Sequence, residues 1–259
     1  MIPTFHEGFP YPELLESFVS LCVRAFGDDL RGVYLHGSSV MGCFHPTGSD
    51  VDLLVVTENE PACERKRIFM DGVSLLSEKT PCKGIEMSVV LRRDCAAPIH
   101  PIPYFLHYSE SWRERYERDP EETIRILRGR DRDLAAHFAV TQAYGLTLWG
   151  EPKEKVFGPV RREDYADAIL YDVEDAEEQI AAHPVYLTLN LCRGLAYLKD
   201  GVILSKAGGG EWGLSTLPGR FGPWIRNALE SYRTGGTAAA GGEGRDFASY
   251  MLREIRKVL

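Results

Sequence analysis

The sequence predicts an α+β protein, a mixed sheet with helices followed by an α-helical bundle. Strand-like and helix-like runs are interleaved up to Leu91, whereas every candidate element from about Asp133 onward has helical spacing. Between the two regimes, Gly150, Pro152, Gly158 and Pro159 interrupt the pattern, which places the domain boundary near Glu151 to Val160.

From Tyr11 to Phe26 the apolar residues Tyr11, Leu14, Leu15, Phe18, Val19, Cys22 and Phe26 follow the three-and-four spacing of an amphipathic helix, and Pro12 suits its first turn. A short β-type run, Val33 to His36, ends abruptly in Gly37-Ser38-Ser39. After the turn-rich stretch from Cys43 to Ser49, Val51 to Val56 reads as a buried strand. Pro61 to Ser77 reads as a helix and Ile85 to Leu91 as a third strand. The proline-rich stretch Ala96 to Pro103 is expected to be irregular. Leu134 to Trp149, Glu163 to Ala182, Val185 to Leu198, Phe221 to Tyr232 and Phe247 to Val258 are the main helices of the second half, with a glycine-rich loop expected from Thr234 to Gly244.

The chain has 259 residues, 44% hydrophobic and 26% charged, so it can bury one large core or two modest ones, and a disordered or fibrous reading fails. Its net charge of -8 is matched by one acidic block: Glu163, Asp164, Asp167, Asp172, Glu174, Asp175, Glu177 and Glu178, with no Lys or Arg between Glu163 and His183. An acidic chain lacks the basic face that phosphate neutralisation on a duplex requires, so no nucleic-acid partner is expected. The block raises instead the question of a cationic partner. Six cysteines are scattered without a CxxC pair, consistent with reduced thiols, and neither a signal peptide nor a membrane span is visible, so a cytoplasmic protein is expected.

The chemistry concentrates in Leu35-His36-Gly37-Ser38-Ser39 and, ten residues on, Asp50-Val51-Asp52. Carboxylates at i and i+2 of a strand share a face, and a divalent cation takes two or more such oxygens, so Asp50 and Asp52 are candidate metal ligands. Small residues at a strand end let backbone N–H groups and hydroxyls approach a phosphate closely. Glu86 stands alone among Ile85, Met87, Val89 and Val90, where an unpaired charge is costly to bury, which makes it a candidate third carboxylate. Together these predict magnesium ions clamping a nucleoside triphosphate while a carboxylate takes a proton from an attacking hydroxyl. His36 and Cys43 have no partner at metal-ligand spacing and read as packing residues.

LHGSSVMGCFHPTGSDVDLLVV resembles the signature of the polymerase-β-like nucleotidyltransferases. Combined with IEMSVV, PYFLHYSESW, LTLNLCRGLAYLKDG and SKAGGGEWGLSTLP, it is similar to the streptomycin/spectinomycin adenylyltransferase family over almost the whole chain. The resemblance implies a nucleotidyltransferase domain over residues 1–155 and a helical substrate- and nucleotide-binding domain over 156–259. It implies transfer of AMP from ATP to a hydroxyl of an aminoglycoside or aminocyclitol, with release of pyrophosphate and antibiotic resistance as the outcome. Asp50 and Asp52 then bind magnesium, two ions being expected, and Glu86 is the catalytic base. Ser38 and Ser49 fall on positions that contact the triphosphate, Arg193 and Lys206 on phosphate-binding positions, and Tyr232 on a position beside the nucleotide. Trp112 and Glu178 are the matches for drug-contacting residues. The expected partners are ATP and a cationic drug, with the protein acting as a monomer. Two rival readings are a nucleotidyltransferase acting on protein or RNA, against which the helical second domain and acidic composition speak, and a catalytically silent nucleotide-binding protein, against which the intact carboxylate set speaks.

Overall fold

The structure is a computed structural model that describes residues 9–46, 48–80, 83–236 and 243–259. Two compact units divide the chain, Met1–Arg161 and Arg162–Leu259.

In chain order the first unit comprises α1 (Pro12–Phe26), β1 (Leu30–Leu35), β2 (Val51–Thr57), α2 (Cys63–Glu78), β3 (Ile85–Leu91), α3 (Arg92–Ala96), β4 (Ile102–Tyr104), β5 (Leu106–Tyr108), α4 (Arg113–Arg118), α5 (Pro120–Ile126), β6 (Gly129–Asp131), α6 (Asp133–Tyr144), β7 (Leu146–Gly150) and α7 (Lys153–Val156). Five strands form a sheet in the order β5-β3-β2-β1-β7, with β4 and β6 paired separately. Only β2 and β3 run parallel; the other pairs in the sheet are antiparallel. Strand alternation sends Val51, Leu53, Val55, Ile85, Met87 and Val89 to one face, where they share a core with Leu15, Phe18 and Cys22 of α1 and Phe69, Met70 and Val73 of α2. Asp52, Leu54, Glu86, Ser88 and Tyr34 have the opposite parity. On that side Tyr34 packs edge-on against Phe157, which also meets Phe138 of α6.

The single helix expected over Leu134 to Trp149 is in fact α6 followed by β7, which pairs antiparallel with β1. Gly145 marks the change, with extended backbone and so little room that a Cβ would lie 2.5 Å from the Thr141 carbonyl oxygen. The stretch expected to be irregular after Ala96 ends in the short strand β4.

The second unit is helical: α8 (Arg162–Tyr171), α9 (Ala176–Gln179), α10 (Pro184–Asp200), α11 (Lys206–Thr216), α12 (Gly222–Thr234) and α13 (Glu243–Val258). Its core joins Leu187, Leu191 and Leu195 of α10 to Trp224, Ile225 and Leu229 of α12 and Phe247, Met251 and Ile255 of α13. The expected helix Glu163 to Ala182 breaks after Tyr171. Asp172, Glu174 and Asp175 would place negative charge on the negative end of the helix dipole, and Asp172 turns to the Arg193 guanidinium at 3.7 Å. α11 carries Gly208, Gly209 and Gly210, so its sequence shows no apolar helical spacing. Ser205 caps it, its Oγ accepting from the Gly208 N–H at 3.0 Å. Gly209 lets it approach α10 so closely that a Cβ there would lie 2.7 Å from the Arg193 Cβ.

Residues 237–242, most of the glycine-rich stretch expected as a loop, lie outside the described residues, as does Cys82. The five cysteines among the described residues are free thiols. No described helix is long and apolar enough to cross a membrane.

Candidate active site

The site begins with strand register. In β2 and β3 every residue is buried except one, Asp52 in the first and Glu86 in the second, and the parallel register sets these two side by side. Asp50, two residues before Asp52, projects from the same side. Ligand oxygens of Asp50, Asp52 and Glu86 lie within 4.8 Å of one another. Such a purely oxygen donor set suits a hard divalent cation such as magnesium.

Burial pushes the Glu86 carboxyl up to about 7, reinforced by the Asp50 charge, by the Asp133 charge, by a hydrogen bond with Asp50 and by the Asp131 charge. A divalent cation among these carboxylates would offset that repulsion, so the residues present fit the metal that the sequence predicts.

Above Asp52 lies the turn Gly37–Ser39 that ends β1. The His36 N–H donates to the Asp52 carbonyl at 3.0 Å. Gly37 has φ of 65°, and a Cβ there would overlap the Asp52 carboxylate, so only glycine allows the turn to sit this close. The Ser38 and Ser39 hydroxyls are buried and find no hydrogen-bond partner among the described residues. Two unsatisfied hydroxyls beside a carboxylate cluster suit an anionic ligand that is brought with its cation. Ser49 is buried, and its Oγ accepts from the His45 N–H at 3.0 Å.

A cleft of about 630 Å³ opens from Asp50 and Glu86 and is walled by Ser77, Thr80, Lys83, Ser109, Glu110 and Arg113 among others. Trp112 is not part of that wall. It packs against the core of the first unit, with the Arg115 guanidinium 5.7 Å from its ring centre.

In the second unit Arg193 stands on α10 beside Asp172. Lys206 is the first residue of α11, and its ammonium lies 5.0 Å from the Tyr186 ring centre. Tyr232 on α12 packs against the helical core, and Glu178 on α9 is exposed. The acidic block is not uniformly solvated: Asp164 is buried and Glu177 accepts from the Ser249 hydroxyl at 2.9 Å.

Several polar residues near Glu86 escaped the sequence reading. Asp131 and Asp133 come from β6 and the start of α6, and their i, i+2 spacing was the only available signal. His107 of β5 shares a hydrogen bond of 3.0 Å with Ser88, and burial lowers its pKa to about 4. The buried His36 ring packs against His137 in a tilted arrangement, ring centres 4.9 Å apart, which agrees with its reading as a packing residue.

Three convergent carboxylates on a mixed sheet beneath a glycine-serine turn define a nucleotidyltransferase domain, and residues 18–94 match the family model described as a nucleotidyltransferase domain. Residues 155–254 match the model of the aminoglycoside adenylyltransferase C-terminal domain. A nucleotidyltransferase domain is thus followed by a region similar to the C-terminal domain of aminoglycoside adenylyltransferases. It is 25% identical over 253 residues to an aminoglycoside (3'') (9) adenylyltransferase of Klebsiella pneumoniae, covering 95% of each chain. It is 26% identical over 212 residues to a spectinomycin 9-adenylyltransferase of Staphylococcus aureus, covering 80% of each. Its fold is shared with the spectinomycin adenyltransferase of Enterococcus faecialis solved with ATP and spectinomycin, at a TM-score of 0.79 and 20% identity over 94% of this chain and 98% of that one.

Proposed function

We propose that this protein transfers AMP from ATP to a hydroxyl of an aminocyclitol or aminoglycoside such as spectinomycin or streptomycin, releasing pyrophosphate and conferring resistance in the cytoplasm. The observation that carries this reading is the set Asp50, Asp52 and Glu86 within 4.8 Å beneath a turn with two unsatisfied hydroxyls.

Asp50 and Asp52 hold magnesium, two ions in this reading. When bound, magnesium stabilises charge on the phosphates of ATP. Ser38, with the backbone of the turn, donates to the triphosphate, and Ser49 lies along it. Glu86 accepts the proton of the attacking hydroxyl while that oxygen bonds to the α-phosphorus; the bond from the α-phosphorus to the bridging oxygen breaks, and pyrophosphate leaves with that electron pair. Arg193 and Lys206 supply positive charge to the phosphates, and Tyr232 lies beside the nucleotide. Trp112 and Glu178 contact the drug, Glu178 as a counter-charge to its ammonium groups.

Mass spectrometry of a panel of aminocyclitols and aminoglycosides, incubated with the protein, ATP and magnesium, tests this directly. The expected outcome is an added AMP on at least one of them. If ATP is bound and no drug in the panel gains AMP, the substrate assignment is wrong.

A further inference from the structure

The backbone just before Glu86 holds both flanks of Asp50. The Lys83 N–H donates to the Ser49 carbonyl at 3.1 Å, and the Val51 N–H donates to the Gly84 carbonyl at 3.0 Å. The separation of Asp50 from Glu86 therefore depends on where residues 83–85 sit.

That segment is held from its other side by a chain of side-chain bonds. The Ile85 N–H donates to Ser77 Oγ at 3.0 Å, and the Ser77 hydroxyl donates to Glu110 Oε2 at 3.1 Å. Arg113 Nη2 donates to the same carboxylate oxygen at 3.0 Å. Gly84 leaves no slack: its φ is 100°, and a Cβ there would lie 2.6 Å from Ser77 Oγ and 2.7 Å from Glu110 Oε2. A serine hydroxyl has one proton, so donating it to Glu110 turns a lone pair toward the Ile85 amide. A carboxylate is the stronger, charge-assisted acceptor and so decides that orientation.

We infer that Ser77 and Glu110 are positioning residues for the reaction centre: Glu110 orients the Ser77 hydroxyl, and Ser77 holds the start of β3 so that Glu86 keeps its separation from Asp50. This rests on the reading of Asp50 and Glu86 as the reaction centre.

The test uses the full chain carrying Ser77→Ala, Glu110→Ala or Glu110→Gln. Tyr116→Phe serves as a control, because it removes a 2.6 Å bond from Tyr116 to Asp71 on α2 without touching Ser77 or Glu110. Two quantities are read: the kcat and ATP KM of AMP transfer, and the Kd of Mn²⁺ for the nucleotide-free protein by electron paramagnetic resonance. Ser77→Ala and Glu110→Ala are expected to lower kcat about 10- to 100-fold with little change in KM, as a displaced catalytic group does. Both should weaken Mn²⁺ binding severalfold. Glu110→Gln, which keeps an acceptor for Ser77, should recover part of each loss, and Tyr116→Phe should lower Tm alone. Wild-type kcat and Mn²⁺ affinity in both alanine variants would overturn the inference, and so would losses that Tyr116→Phe reproduces. A wild type that binds no Mn²⁺ would overturn it as well. If the wild type transfers AMP to no drug, the functional reading fails, and the Mn²⁺ affinities alone then decide this inference. Should Ser77→Ala not fold, the two Glu110 variants decide it.

Discussion

At the scale of single residues, the site depends on positions where one side chain excludes every other. Gly37 is the sharpest case, because its left-handed backbone and its contact with the Asp52 carboxylate both rule out a Cβ. Gly37→Ala is expected to displace Asp52 and lower kcat on the order of 100-fold, measured as AMP transfer at saturating ATP. Unchanged turnover in the folded variant would show that the turn does not set the carboxylate geometry. Gly37, Asp50 and Asp52 were legible in the sequence because they lie within one short segment at the spacing that chemistry requires. Glu86 was legible because an acid stands out in an apolar strand. Asp131, Asp133, Ser77 and Glu110 were not, since their meaning comes from which strand end they meet, and neither spacing nor polarity records that.

At the scale of elements, α11 runs against propensity. Three consecutive helical glycines cost about 1 kcal/mol each relative to alanine, and close packing explains only part of the series. A Cβ at Gly209 would strike Arg193 and one at Gly210 would strike Leu229, whereas at Gly208 it would meet only Ser205 and Leu204 at 3.4 to 3.7 Å. Gly208→Ala is therefore expected to stabilise the second unit by about 1 kcal/mol. Gly209→Ala should destabilise it by roughly 1–3 kcal/mol, and it should raise the ATP KM if Arg193 meets the nucleotide. Thermal or urea melts check both, and equal effects of the two substitutions would refute the packing argument. The β7 strand gives a parallel lesson. Leu134 to Trp149 keeps helical spacing almost throughout, yet the unpaired edge of β1 recruits Leu146–Gly150 once Gly145 has released the helix. Pairing with a distant strand outweighs local periodicity, and local periodicity was all the sequence displayed.

At the scale of the whole molecule, charge becomes a pH response. Burial holds His107 neutral, at a pKa of about 4 against an ordinary 6.5, so it binds fewer protons folded than unfolded. Its contribution to stability is complete above pH 6.5, shrinks as the unfolded chain takes up a proton below that, and is lost as pH falls through 4. Glu86 acts in the opposite sense: with a pKa raised to about 7, the folded chain gains stability as pH falls from 7 toward 4.5. The His107 component is therefore best read as a difference. Relative to His107→Gln, the wild type should lose roughly 2–3 kcal/mol between pH 7.5 and 4.5, measured by urea unfolding with divalent cations chelated. A pH-independent difference would mean that His107 is not held neutral. The net charge of -8 undergoes a similar sharpening: part of the acidic block is internal, through Asp164 and the Asp172 contact with Arg193, whereas Glu178 is exposed.

The α+β class, the helical second half, the carboxylate set Asp50, Asp52 and Glu86, and the resemblance to adenylyltransferases are all readable in the sequence, because each is written in local spacing or in contiguous motifs. Only the tertiary fold fixes the addition of β7 to the sheet, the break after α8, the close approach of α11 to α10, and the placement of Ser77, Glu110, Asp131 and Asp133 around the site. The physical reason is the same in each case: strand pairing, close packing and desolvation act between residues far apart in the chain, so their outcome is set by which surfaces meet and not by the order in which residues occur.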